Sequence, residues 1–437
     1  MAELTAPSTR TSPPRARRVA LAGLVGTTIE WYDFFIYGTA AALVFAPQFF
    51  PGVSPLAGTL AALSTYAVGF VARPVGGALM GHFGDRIGRR AMLVLSLLIM
   101  GTGTALIGLL PTYASIGVAA PVLLVVLRFA QGLGVGGEWG GATLLALEHA
   151  PPGRRILYSS FPQLGLPLGV VLASVVFLVT RLGMSPEAFL SWSWRLPFLA
   201  SAVLVVFGLL LRLRLEESPE FAATRKQGEV RRAPLVDVLR RPRILLPAAA
   251  VNLVSAGAAN VMLVFSLGYV AARGLVSASV MLTATIVTAL AWTVTIAVSA
   301  VAAQRLGRKP LAYLGSGLLA LWAFPYFWLL DTGSVAATVL ACVVIGLGVG
   351  LASGPFGALV TEAYPVAYRY SGSSLAYALG SVLGGALAPI VATVLFSATG
   401  GTTAISGFLT FLGLLSVAGV RTLQSPHSSH PDTEGQS

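Results

Sequence analysis

Charge is what this chain has least of. Only 10% of its 437 residues are Asp, Glu, Lys or Arg, against about 25% in an ordinary soluble domain. A soluble chain of this length needs far more polar surface to stay dissolved. A hydrophobic content of 56% equally excludes a disordered chain. Cysteine is almost missing. Cys342 stands alone, which excludes an intrachain disulfide framework and a cysteine-based metal cluster. His82, His149, His427 and His430 make no metal-ligand spacing on an apolar helix, so neither a metal nor any other cofactor is expected. No glycine-rich loop joins a strand to a helix, which excludes a phosphate cradle. No nucleophile–base set is visible, so an enzyme is not expected. What remains is a polytopic membrane protein.

Long apolar runs are abundant. A span needs about 20 nearly uncharged residues to cross a hydrocarbon layer of roughly 30 Å. Charges and turn residues cut the chain into twelve such runs: Val19–Phe45, Leu56–Met80, Ala91–Leu110, Pro121–Leu147, Ile156–Thr180, Arg195–Leu211, Ile244–Ala272, Ser277–Ala302, Leu311–Leu330, Val335–Thr361, Gly372–Ser397 and Thr402–Val420. Arg10, Arg15, Arg17 and Arg18 before the first run superficially match a signal peptide. The run is too long for one and carries Glu30 and Asp33, so it reads as a retained first span.

The net charge of +12 reads as a topology signal. Basic residues gather in the N-terminal arm, at Arg86, Arg89 and Arg90, at Arg154 and Arg155, in the stretch Arg212 to Arg243, and at Arg305, Arg308 and Lys309. By the positive-inside rule these connections are cytoplasmic, as are both termini. Their scatter over short loops argues against a nucleic-acid footprint. The expected organisation is an arm over 1–18, a six-helix half over 19–211, a cytoplasmic loop over 212–243, a second half over 244–420 and a disordered tail over 421–437.

The two halves repeat. Asp85-Arg86-Ile87-Gly88-Arg89-Arg90 follows the second run, and Gln304-Arg305-Leu306-Gly307-Arg308-Lys309 follows the eighth. Glu148, Pro151 and Arg155 are matched, at identical spacing, by Glu362, Pro365 and Arg369. Internal repeats of this kind characterise secondary transporters, whose substrate site lies at the repeat interface. Gly81-His82-Phe83-Gly84-Asp85-Arg86-Ile87-Gly88-Arg89-Arg90 resembles the cytoplasmic loop motif of the major facilitator superfamily. Four further stretches are similar to its metabolite:proton symporter family: Glu30 to Gly38, Arg128-Phe129-Ala130-Gln131-Gly132 with Gly136 to Gly141, Ala72-Arg73-Pro74, and Trp194 to Phe198. The resemblance runs from about Arg17 to Gly419. It implies an all-α fold of twelve transmembrane helices in two pseudo-symmetric halves. It also implies proton-coupled import of a small metabolite such as 2-oxoglutarate, citrate, shikimate, proline or betaine. A monomer in the inner membrane is expected, with the bilayer, the metabolite and protons as its partners. A drug:proton antiporter of the same superfamily is the alternative, faintly echoed by Gly165-Leu166-Pro167-Leu168-Gly169.

Ionisable residues inside a membrane are costly and usually functional. Five are visible within runs, all in the first half: Glu30, Asp33, Arg73, Arg128 and Glu138. Distances along the helices place Asp33, Glu30 and Arg128 in one layer and Glu138 with Arg73 in another. Three acids then face two bases, leaving one carboxyl free to carry a proton. Asp33, Glu30 and Arg128 are the expected proton-coupling residues. The expected substrate site comprises Arg128, Tyr37, Arg73, Glu138, Gln163, Asn252 and Asn260. The charges could instead be static bridges that fix helix packing. The second half offers no intramembrane charge but presents Asn252, Asn260, Tyr269, Trp292, Tyr326, Tyr364 and Tyr377, each also readable as interhelical packing. The expected cytoplasmic gate comprises Gly81, Gly84, Asp85, Arg86, Gly88, Arg89, Arg90, Glu148, Arg155, Arg305, Gly307, Arg308, Glu362 and Arg369. In it, Asp85 caps a neighbouring helix and the arginines reach carboxylates.

Overall fold

A computed structural model describes residues 13–87, 89–151, 153–213, 234–365 and 368–423. Most of the expected arm, the centre of the expected loop, nearly all of the tail and the gate residue Gly88 lie outside the described residues. So do the side chains of the gate residues Asp85, Arg86 and Arg89, and of Gly84 nothing beyond its helical backbone is described.

Twelve helices among the described residues are long and apolar enough to cross a membrane. They are α1 (Ala16–Phe49), α2 (Pro55–Gly81), α3 (Arg90–Leu109), α4 (Ala119–Glu148), α5 (Arg155–Leu182), α6 (Ser193–Leu213), α7 (Pro242–Ala272), α8 (Ala278–Leu306), α9 (Arg308–Asp331), α10 (Val335–Thr361), α11 (Arg369–Thr399) and α12 (Thr403–Thr422). Lipid offers no partner for backbone polar groups, so each span satisfies its own by helical hydrogen bonding. Ser277 and Ser334 cap α8 and α10, their side chains accepting from the Val280 and Ala337 amides.

Short connections make successive spans antiparallel. The 2–3, 4–5, 8–9 and 10–11 connections therefore share one face, called the basic face below. The expected loop after α2 proves more helical than its glycines imply: the helix continues to Ile87 and the next begins at Arg89. In the second copy the whole reversal falls on Gly307, whose φ is +86°, a region where a side chain is strained.

The halves meet along α2 against α11 and α5 against α8, a pairing that respects their pseudo-symmetry. Within each half, small residues bring backbones together. Gly132 and Gly136 of α4 lie against the Gly69 and Arg73 carbonyls of α2. Gly346, Gly350 and Gly354 of α10 lie against Thr288, Thr295 and Ser299 of α8. Three spans contain a widened π-helical turn, at Ala41–Phe45 in α1, Val261–Phe265 in α7 and Ser381–Ala386 in α11. Such turns insert a residue and re-aim the side chains around them.

A Cβ added at Gly350 would stand 2.7 Å from the Thr295 Cβ and 3.0 Å from the Trp292 carbonyl oxygen. Gly350→Val is expected to cost about 1–3 kcal/mol by overpacking and to lower the melting temperature in detergent. Gly317→Val, with nothing within 4 Å of the added carbon, is expected to leave it unchanged. Equal melting of the two variants would contradict the close α8–α10 approach.

Candidate transport site

A small cavity lies between the halves. Trp31 and Phe35 of α1, Phe70 of α2 and Gln163 of α5 form one side. Asn252, Ser255 and Asn260 of α7, Trp292 of α8, Ser353 and Phe356 of α10, and Tyr377 and Ser381 of α11 form the other. The wall is aromatic, aliphatic, amide and hydroxyl in character, and no charged residue among the described ones is part of it. Two π-helical turns adjoin it: that of α7 follows Asn260, and that of α11 begins at Ser381.

Cross-half contacts bridge the spans on both sides of this cavity. On the side away from the basic face, Tyr66 donates to the Asn260 Oδ1 at 2.9 Å. Toward the basic face, Trp139 stacks on Tyr377 with centroids 4.3 Å apart, and Tyr370 donates to the Gly137 carbonyl at 2.7 Å. Gly81 of α2 also reaches α11, since a Cβ there would lie 3.4 Å from the Ser371 Oγ. The cavity is thus enclosed between two sets of contacts.

Arg73, with Glu30 beside it, sits immediately behind the α1–α2 wall. Glu30 and Arg73 approach to 3.7 Å, both almost fully buried. Neither carboxylate oxygen of Glu30 has a hydrogen-bond partner, and the Arg73 guanidinium makes no well-aligned hydrogen bond, although the Tyr377 hydroxyl lies beside it. The Arg73 guanidinium instead lies over the rings of Trp31, Phe34 and Phe70, 4.9, 4.4 and 4.8 Å from their centroids. Arg128 lies over Phe34 at 4.0 Å, Tyr37 at 4.1 Å and Tyr66 at 5.4 Å. Phe34 therefore contacts both guanidinia.

Among the described residues, Asp33 makes no direct pair with a cation. It accepts from Thr104 at 2.8 Å and from Ser201 at 2.5 Å. Thr104 in turn accepts from the Gln131 amide at 2.7 Å, and the Gln131 oxygen accepts from Arg128 at 3.2 Å. Arg128 and Asp33 are thus joined through two neutral side chains, while Arg128 Nε and Nη2 stay unpartnered.

The expected pairing needs correction. Glu30 pairs with Arg73 rather than standing with Arg128, and Glu138 does not pair with Arg73. Glu138 binds Arg212 and accepts from Ser96 at 2.7 Å, while Arg212 also donates to the Leu93 carbonyl. Arg212 does not belong to a loop: it lies in the last turn of α6 and is 3% exposed. Its guanidinium fits against Gly26 of α1. A long side chain at a helix end can bend inward to a buried acid. The available signal is Leu213 and Leu215, which carry apolar character past Arg212. The tally becomes three acids with three bases.

Of the expected substrate residues, Gln163, Asn252 and Asn260 line the cavity. Arg73, Arg128, Glu138 and Tyr37 do not; Tyr37 donates to the Thr65 hydroxyl at 2.7 Å beneath Arg128. Trp292 and Tyr377, equally readable as packing, do line it, as do Ser255, Ser353 and Ser381, for which sequence offers no signal. Tyr326 and Tyr269 instead bond within the second half, to Ser266 and Asp331. On the basic face, Arg308 and Glu362 form an ion pair, Arg90 donates to the Leu213 carbonyl and Arg369 to the Tyr364 carbonyl at 3.1 Å. Arg155 and Arg305 are exposed, and Glu148 is half-buried.

The sequence profile of the Major Facilitator Superfamily matches residues 23–389. The chain is 42% identical over 420 residues to the inner membrane metabolite transport protein YhjE of Escherichia coli strain K12, covering 94% of this chain and 95% of that one. It is 39% identical over 387 residues to the shikimate transporter of the same organism, 88% of each chain being covered. A solved structure of the proton:xylose symporter XylE with 6-bromo-6-deoxy-D-glucose bound superposes with a TM-score of 0.74. It covers 93% of this chain and 95% of that chain at 19% identity, which shows the shared fold. Twelve membrane helices around an enclosed inter-half cavity define a secondary transporter and not an enzyme. The chain belongs to the major facilitator superfamily, among its metabolite transport proteins.

Breaking one side of a buried ion pair costs about 3–5 kcal/mol, whereas replacing both sides with apolar groups is often neutral. Arg212→Met alone is therefore expected to destabilise the detergent-solubilised protein by that amount. Arg212→Met combined with Glu138→Met is expected to recover most of the loss in a double-mutant cycle of unfolding. Additive losses would deny the coupling of these two residues.

Proposed function

We propose that this protein is a proton-coupled symporter that brings a small carboxylate-bearing metabolite into the cell across the cytoplasmic membrane, as a monomer. The observation that carries this reading is the Glu30–Arg73 pair. Two opposite charges are buried directly behind Trp31 and Phe70 of the cavity wall, 3.7 Å apart and with no hydrogen bond between them. A buried charge without hydrogen bonds is expensive. The arrangement is suited to exchanging partners rather than to holding helices together.

In this reading the basic face is cytoplasmic and the halves rock about the cavity. The first moving body is 19–211 extended to include Arg212, the second is 244–420, and the intervening residues tether them. A proton entering from outside neutralises Glu30 or Asp33. The guanidinium that this carboxylate had balanced is then free to take the carboxylate of the substrate in a charge-assisted, bidentate pair. Arg73 reaches the cavity by a shift of the rings that cover it; Arg128 is linked to Asp33 through Gln131 and Thr104. Opening on the cytoplasmic side releases cargo and proton, and the internal balance is restored. On that side Arg308–Glu362, with Gly81, Gly84, Asp85, Arg86, Gly88, Arg89, Arg90, Glu148, Arg155, Arg305, Gly307 and Arg369, serves as the gate. The similarity to a shikimate transporter supports an acid as cargo, because shikimate carries a carboxylate. Two buried guanidinia in the first half weigh against the lipophilic cations of a drug antiporter.

The test is uptake into proteoliposomes of labelled organic acids, amino acids and betaines, with an imposed pH gradient and with a sodium gradient as control. Accumulation of an acid is expected under the pH gradient alone. Asp33→Asn is expected to lower that accumulation at least about tenfold, as loss of a proton-carrying group implies, while substrate exchange at equal pH persists. Full pH-driven accumulation by this variant would remove Asp33 from the mechanism.

A further inference from the structure

The cavity has two unlike sides. Behind its α1–α2 wall stands the Arg73 guanidinium; among the described residues, its α7–α8 wall has no cation. That second wall contains two polar groups with nothing to bond. Trp292 Nε1 and Ser255 Oγ are buried, in side chains 2% and 5% exposed, and neither has a hydrogen-bond partner. Both residues line the cavity. An indole N–H is a donor only, so water or a cargo oxygen must satisfy it. The neighbouring amide of Asn260 is already engaged by Tyr66 and by the Ala256 carbonyl, and Asn252 contacts the Ser381 hydroxyl. Trp292 and Ser255 therefore hold unused hydrogen-bonding capacity on this side.

We infer that Trp292 and Ser255 form a subsite for a neutral oxygen, a hydroxyl or keto group set apart from the carboxylate of the cargo. The inference rests on the acid-symporter reading and deepens it. A carboxylate gains more from a guanidinium than from an indole N–H, so the acid end belongs on the α1–α2 side and the neutral oxygen opposite it. Cargo of this kind bridges the two halves across the cavity. An acid without a second oxygen leaves the indole N–H and the serine hydroxyl dry and unpaired, which penalises it. A quaternary ammonium headgroup offers the N–H no acceptor and is disfavoured for the same reason. The substrate class is then the hydroxy or keto acids, rather than simple alkyl acids or betaines.

The experiment compares acids that share a carbon skeleton and differ in their hydroxyl groups. Three pairs serve as probes: shikimate and cyclohex-1-ene-1-carboxylate, malate and succinate, glycerate and propionate, with glycine betaine as a fourth arm. Affinities are measured on the full chain in detergent, by thermal shift and by isothermal titration. In the wild type, the hydroxylated member of at least one pair is expected to bind about tenfold or more tightly than its deoxy partner, the scale of one buried hydrogen bond with its desolvation. Trp292→Phe keeps the ring and removes the N–H; Ser255→Ala removes the hydroxyl with little change of volume. Each is expected to bring that pair to within about threefold by weakening only the hydroxylated member, consistent with loss of one hydrogen bond. Wild-type protein that binds acids without preference overturns the subsite and leaves the acid-symporter reading standing. A variant pair that keeps the full preference, or loses both members equally, also overturns the subsite. Wild-type protein that binds no acid overturns the reading and the subsite together.

Discussion

Everything in the first half is arranged around six charges that cannot reach water. Glu30, Asp33, Arg73, Arg128, Glu138 and Arg212 are all nearly fully buried, in an environment where an ion without partners costs several kcal/mol. The protein meets this constraint in three ways. Glu138 and Arg212 neutralise each other directly, with Ser96 and the Leu93 carbonyl filling out their hydrogen bonds. Asp33 is solvated by two hydroxyls. Arg73 and Arg128 rest on aromatic faces, Phe34 being common to both. The first solution is complete and reads as structural. The arginines keep unpartnered nitrogens, and Arg73 lies against Trp31 and Phe70 of the cavity wall.

The fold makes that difference useful. Close α2–α4 and α8–α10 packing through glycines gives each half a rigid body, while the halves meet mainly along α2–α11 and α5–α8. The contacts that bridge the halves beside the cavity include single hydrogen bonds and ring contacts, among them Tyr66–Asn260, Tyr370–Gly137 and Trp139–Tyr377. A hydrogen bond contributes only about 0.5–1.5 kcal/mol net. Gates of that strength can open and close on cargo binding, whereas the glycine-packed bodies cannot shear without losing extensive backbone contact. The π-helical turns beside Asn260 and Ser381 place irregular backbone of the second half next to the cavity.

Much of this was legible before any coordinates. The spans are set by bilayer thickness, so hydropathy alone places them within a few residues; Val335–Thr361 agrees at both ends. The glycines at every fourth position announce close packing, and the repeat marks Arg308 and Glu362 as gate residues, though not as partners. Partners of buried charges were not legible. Rise per residue locates a side chain along its own helix but says nothing of which neighbouring helix it faces. Glu30 and Arg128 were therefore grouped by depth, although Arg73 is the cation that α2 brings against α1. Arg212 was hidden by its place at the edge of a basic stretch, where charge reads as topology.

Sequence by itself determined the class of the protein: an all-helical, twelve-span carrier built from a repeated half, with its ionisable groups confined to one of them. These follow from local quantities, the length of apolar runs and the spacing of motifs, which no tertiary contact can alter. Only the tertiary structure decided which acid meets which base, which polar groups open onto the cavity, and that the Arg73 guanidinium stands behind its wall rather than in it. Those depend on helix rotation and on neighbours far apart in the chain, and in lipid both are settled by packing between helices, not by any one helix alone.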